Sequence, residues 1–192
     1  MQALREAIES MGQAVGSKIV KVDSFLNHRI DTRLMFGMGQ ELANHFRPAA
    51  PTLVMTVEAS GIALAMATAH ALDDLPVVFA KKSAALNQGK NLAQESIYSF
   101  THQTECVIRA DRGYVPSGSR VLVVDDFLAD GEAVRGMISL VEQCDSQVVG
   151  VGIAIEKGFQ PGGKALRQQG VDLMSLAVIR EIRDGRILFG DR

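Results

Sequence analysis

An α/β fold, a mainly parallel sheet flanked by helices, is what this sequence predicts, and three observations predict it. Apolar runs of strand length recur along the chain, several without the alternation of a half-exposed strand, as burial on both faces requires. Segments with helical spacing separate them, and strand alternating with helix implies a parallel sheet. The length of 192 residues is near that of one compact core, so a single domain over 1–192 is expected.

The elements follow in order. Residues 1–12, MQALREAIESMG, interleave Leu4, Ile8 and Met11 with Arg5, Glu6 and Glu9, which is amphipathic-helix spacing without a signal peptide's apolar core. Strands are predicted at TLVMTV (52–57), PVVFA (76–80), ECVIRA (105–110), RVLVVD (120–125) and QVVGVGIAI (147–155). Helices are predicted over 31–46, 61–72, 131–144 and 162–170. The segment 81–104 is long, polar and rich in small residues, which marks a functional loop such as a lid, or a β-hairpin. Residues 1–30 and 171–192 do not continue the alternation, and a small cap over the sheet is expected from them.

Bulk properties narrow the function. A net charge of −2 and a pI of about 6.1 provide no clustered basic surface for nucleic acid or an anionic membrane, so neither is an expected partner. The longest apolar stretch, VVGVGIAI (148–155), is far short of the roughly 20 residues of a membrane span. Cys106 and Cys144 lack CxxC spacing, which argues against a disulfide framework or zinc site and for a cytoplasmic protein.

Ligands of such sheets collect outside the carboxyl ends of the strands. Three loops are therefore candidates: EASG (58–61), DDFLADGEA (125–133) and EKGFQPGG (156–163). In the second, a small-residue loop with Gly131 opens a helix, whose free N–H groups and dipole suit a phosphate. Carboxylates do not bind phosphate, but Asp125 and Asp126 accept hydrogen bonds, and a ribose has hydroxyls to donate. The combination points to a sugar phosphate. The bland alternative ends a strand at Asp125 and Asp126 and caps the helix with Asp130, and an acidic metal pocket is a third possibility.

The block VLVVDDFLADGEA (121–133) resembles the phosphoribosyl pyrophosphate (PRPP) signature of type I phosphoribosyltransferases. IVKVDSFLNHRID (19–31), EASGIA (58–63), ESIYSFTHQTE (95–105) and IAIEKGFQPGG (153–163) are similar in order and spacing to the family's xanthine-using bacterial members. The resemblance implies a hood from about 1–30 and 156–192, a flexible lid within 81–104, and a homodimer. It also implies transfer of a 5-phosphoribosyl group from PRPP to N9 of xanthine, with Mg²⁺ carried by PRPP or pyrophosphate and no direct protein ligand to the metal. Asp125 and Asp126 would hold the ribose hydroxyls as the catalytic pair, and Ala129, Asp130, Gly131, Glu132 and Ala133 the 5′-phosphate.

Glu58, Ala59, Ser60 and Gly61 match the pyrophosphate loop, at a second helix N-terminus that alone reads as an ordinary helix start. Lys81 and Lys82 follow a strand, where a cation neutralises the leaving pyrophosphate, and Lys81, nearer the strand, is the expected contact. In the implied base pocket Lys157 donates to an exocyclic oxygen, Phe159 stacks, Asn27 hydrogen-bonds the dioxopurine and Val20 lies beside it. Without the resemblance, Lys157 is a surface lysine and Asn27 a turn residue. Many family members carry Thr or Asn where this chain has Asp130, and a hydroxyl residue where it has Ala133. Two rivals remain: a PRPP- or purine-sensing regulator of the same fold, and a guanine or hypoxanthine phosphoribosyltransferase. The regulator lacks support, since residues 1–10 are too short and insufficiently basic for a DNA-binding unit.

Overall fold

Strands buried on both faces need helices on both, and the chain supplies them. The computed structural model describes residues 1–82, 91–99 and 104–190. Strands β3 (Leu53–Val57), β4 (Val77–Ala80), β7 (Arg120–Leu128), β8 (Gln147–Lys157), β9 (Leu173–Arg183) and β10 (Arg186–Phe189) form one sheet in the order β10-β9-β8-β7-β3-β4. Every pair is parallel except the edge pair β9–β10.

Alternate residues of the apolar runs serve opposite layers. Leu122 and Val124 join one hydrophobic cluster with Met38, Leu42 and Phe46 of α2 (Thr32–Phe46) and Leu64 of α3 (Ile62–Ala71). Val121 and Val123 join the other, with Val134, Met137, Leu140 and Val141 of α4 (Glu132–Gln143) and Leu166 of α5 (Gly162–Gln168). The runs lack alternation because neither face meets water.

The structure departs from the expectations in three places. Strand β7 runs three residues beyond the predicted end at Asp125, pairing Phe127 with Ile155 and Leu128 with Glu156, so Asp125 and Asp126 lie inside a strand rather than in a loop. The predicted strand 105–110 is not in the central sheet: β6 (Thr104–Asp111) pairs antiparallel with β5 (Leu92–Ser99) in a separate two-stranded sheet. Residues 171–192 do continue the alternation, because β9 pairs parallel with β8 through Lys157 and Ile179.

At the other end, α1 (Gln2–Met11), the two-stranded pair β1 (Gln13–Val15) and β2 (Ile19–Lys21), and a π-helical turn, Asp23–Asn27, precede α2. Leu4, Ile8, Val20, Phe25 and Leu26 share a cluster with Ile182, Ile187 and Phe189, and Arg5 donates to the Gly190 carbonyl at 2.9 Å, so the two ends of the chain pack together. The lid expected within 81–104 falls partly on residues 83–90 and 100–103, outside the described residues. Among the described residues no helix is long and apolar enough to cross a membrane.

Candidate active site

Parallel strands end at the same edge, and three of them deliver the candidate loops there. The turn 58–61 links β3 to α3, residues 129–131 link β7 to α4, and residues 158–161 link β8 to α5. Neither α3, with Gly61 at its N-cap, nor α4, with Gly131 there, has a side-chain cap. Both helix N-termini therefore keep backbone N–H groups for a ligand. The alternative that Asp130 caps α4 is overturned, since the N-cap is Gly131 at φ +86°, a left-handed conformation natural to glycine.

The acidic pair lies at the centre, Asp125 and Asp126 being 4% and 7% exposed. Asp126 ties distant segments together: its Oδ2 accepts from Asn27 Nδ2 at 3.1 Å and its Oδ1 from Ser60 Oγ at 2.9 Å. The Asp126 N–H donates to Asp125 Oδ1 at 3.0 Å. Burial pushes the Asp125 carboxyl well above the usual carboxylate range and the Asp126 charge adds to the rise, while the Asp126 N–H and the Lys82 charge act against it.

The turn 58–61 begins with a cis peptide between Glu58 and Ala59. Glu58 donates its N–H to the Ala80 carbonyl at 3.0 Å and accepts the Lys82 N–H on its carboxylate at 2.6 Å. The backbone of Lys81 exchanges two hydrogen bonds with Arg109, at 2.8 and 2.9 Å. Of the two lysines, Lys81 is partly buried and Lys82 exposed, and the Lys82 charge bears on Asp125.

In the loop after β7, the Gly162 N–H donates to the Ala129 carbonyl at 3.1 Å, and a Cβ on Gly162 would stand 2.4 Å from that oxygen. The start of α5 thus presses directly on the loop. Arg135 donates from Nη2 to the Asp130 carbonyl at 2.8 Å and is ion-paired with Glu132. Ala133 follows in the first turn of α4, partly buried.

On the other side, Lys157 ends β8 with its ammonium 5.7 Å from the centroid of Phe127. Burial lowers its pKa, and the Asp130 carboxylate opposes that fall. Phe159 packs on the cluster that contains Val20, a buried core residue. Directly behind Lys157, Glu156 is 4% exposed and receives both Arg167 nitrogens at 2.7 Å, together with the Ser175 hydroxyl. This lock joins β8, β9 and α5. Sequence reasoning missed it because an acid at a strand end carries no mark of a partner eleven residues on. Among the described residues, no three His, Cys, Asp or Glu side chains cluster to hold a metal ion.

Doubly wound topology with paired acids and two uncapped helix N-termini at one strand edge places the chain among α/β proteins whose strand-end loops suit an anionic ligand. The phosphoribosyl transferase domain model matches residues 22–171, and the chain belongs to that family. Within it, the xanthine phosphoribosyltransferase of Clostridioides difficile (strain 630) is 44% identical over 189 residues, spanning 98% of this chain and 100% of its own. That of Heliobacterium modesticaldum (strain ATCC 51547 / Ice1) is 47% identical, with the same coverage. The crystal structure of adenine phosphoribosyltransferase from Rhodothermus marinus DSM 4252 matches with a TM-score of 0.73 at 24% identity, over 93% of this chain and 99% of that one, and so shares the fold.

Proposed function

We propose that this chain is a xanthine phosphoribosyltransferase, a pentosyltransferase that moves the 5-phosphoribosyl group of PRPP to N9 of xanthine, giving xanthosine monophosphate and pyrophosphate. The carrying observation is the double hold on Asp126, which brings Asn27 and Ser60 to one carboxylate. It supports a base-binding segment, a pyrophosphate turn and the ribose acids meeting at one point.

In this reading Asp125 and Asp126 take the ribose hydroxyls, and Ala129, Asp130, Gly131, Glu132 and Ala133 cradle the 5′-phosphate at the start of α4. Glu58, Ala59, Ser60 and Gly61 present the α3 terminus to the pyrophosphate, with Lys81 and Lys82 beside it. As the C1′–O bond breaks, pyrophosphate leaves with the electron pair, and N9 forms its bond to C1′ and releases its proton. Fixed amides and ammonium groups that face the developing charge, with reactants held in line, are the chain's contribution. Mg²⁺ carried by PRPP, as the family resemblance implies, would offset the charge of the leaving group.

Lys157, Phe159, Asn27 and Val20 form the base side, Lys157 donating to an exocyclic oxygen. Lys157→Ala should weaken xanthine binding about 10–100-fold, the worth of one charged hydrogen bond, and leave PRPP binding unchanged. Calorimetry with each substrate checks this, and unaltered xanthine affinity would remove Lys157 from the site.

A cytoplasmic homodimer is the proposed assembly. Ile30, Phe36 and Met66, 41%, 55% and 60% exposed, lie together along the outer groove between α2 and α3, and such apolar surface favours a protein contact. Light scattering should give twice the chain mass of 20.7 kDa, and a monomer at micromolar concentration would contradict it.

A further inference from the structure

The loop assigned to the 5′-phosphate carries two acids, Asp130 and Glu132, where an anion is to be held. Arg135, one turn into α4, meets both residues: it pairs with the Glu132 carboxylate and grips the Asp130 carbonyl at 2.8 Å. Its Nη1 also lies 2.9 Å from the point where a Cβ on Gly131 would stand, so the guanidinium lies against the loop itself. A trans peptide is planar, with its C=O and N–H on opposite sides, so whatever holds a carbonyl also aims the next N–H. Two successive carbonyls are held here from outside the loop, Ala129 by the Gly162 N–H and Asp130 by Arg135. The N–H groups of Asp130 and Gly131 are thereby aimed before any ligand arrives.

We propose that Arg135 is a positioning residue for PRPP: its guanidinium neutralises Glu132 and, through the Asp130 carbonyl, fixes the direction of the Gly131 N–H that receives the 5′-phosphate. The proposal rests on the reading of residues 129–133 as the PRPP phosphate loop. It also accounts for an acid-rich loop serving an anion. The Glu132 charge is paired, and the Asp130 carboxylate acts on Lys157.

The test measures PRPP binding with Mg²⁺ by calorimetry, together with steady-state kinetics, for the wild type, Arg135→Met, Arg135→Lys and the double variant Arg135→Met/Glu132→Gln. Arg135→Met should raise Kd and KM for PRPP about tenfold while kcat at saturating PRPP stays within about twofold, since orientation of the bound anion is lost but not the reacting groups. Arg135→Lys, which keeps the charge without the fork, should fall between. The double variant should recover only part of the loss, because cancelling the Glu132 charge does not restore the grip on Asp130. Should Arg135→Met fail to fold, Arg135→Lys decides. Wild-type PRPP affinity in the variants, full recovery in the double variant, or equal loss for PRPP and xanthine with a lowered Tm would overturn the proposal. Absence of PRPP binding in the wild type would instead overturn the functional reading beneath it.

Discussion

Asp126→Asn should lower kcat/KM for PRPP about a hundredfold, since a carboxylate that accepts two hydrogen bonds is replaced by an amide that accepts on one side only, at roughly 1.5–3 kcal/mol per charged bond. Both oxygens already accept hydrogen bonds, from Asn27 Nδ2 and Ser60 Oγ, so the amide leaves one of these donors facing another donor. The effect should therefore extend beyond the ribose to the base side through Asn27. Folding should be little affected, because removing a buried charge that has a second carboxylate beside it offsets the mispaired donor. Steady-state kinetics with PRPP varied, alongside a thermal melt, reads both parts. Normal PRPP kinetics in a folded Asp126→Asn protein would refute the assignment of the acidic pair.

The largest effect on stability should come from Arg167→Ala. Glu156 is buried and depends on Arg167 and Ser175, and removing the guanidinium strands a carboxylate among β8, β9 and α5. Breaking a buried pair costs about 3–5 kcal/mol, and the lower end applies because the Arg167 side chain is 38% exposed and keeps part of its hydration. For a chain of this size that corresponds to a Tm lower by roughly 6–12 °C. Burial by itself would raise the Glu156 pKa, but the Arg167 fork and the Ser175 hydroxyl outweigh it, and the folded value lies below the ordinary one. The pair's contribution is therefore fully present above the ordinary glutamate range and is lost as pH falls through the depressed folded value. The Tm gap between wild type and variant should accordingly be widest near neutral pH and narrow on acidification. A gap independent of pH would assign the loss to packing alone.

Strands β3, β4, β7 and β8 were legible because burial on both faces writes continuous apolar runs, helices α2 and α4 because they carry a 3.6-residue period, and α3 as an alanine-rich apolar run too long for a strand. The end of β7 was not legible: Asp125 and Asp126 interrupt the apolar run, yet their backbones lie in a strand whose pairing with β8 continues to Leu128. Strand β9 was obscured because its end, REIR, runs past the parallel pairing with β8, keeps only the antiparallel edge with β10 and is mostly charged. Contacts across long separations were legible only through resemblance. Asn27 was named from similarity to known proteins, and its bond to Asp126 spans 99 positions. The Arg135 grip on the loop and the Glu156–Arg167 lock had no such guide.

Asp130 has a different place in the fold from the one its sequence context suggests. In the sequence it stands as a helix cap or as a charge misplaced beside a phosphate. In the fold its carbonyl is held by Arg135, and its carboxylate partly opposes the fall in the Lys157 pKa that burial causes. If residues 129–133 hold the phosphate and Lys157 the base, as proposed, changes at Asp130 should be felt by both substrates.

The account as a whole is tested most directly by PRPP-dependent turnover with Mg²⁺, assayed in parallel with xanthine, guanine and hypoxanthine. It predicts xanthosine monophosphate and pyrophosphate in equal amounts, with kcat/KM highest for xanthine. Preference for guanine or hypoxanthine would contradict the base assignment, and PRPP binding without turnover on any of the three would contradict the enzyme.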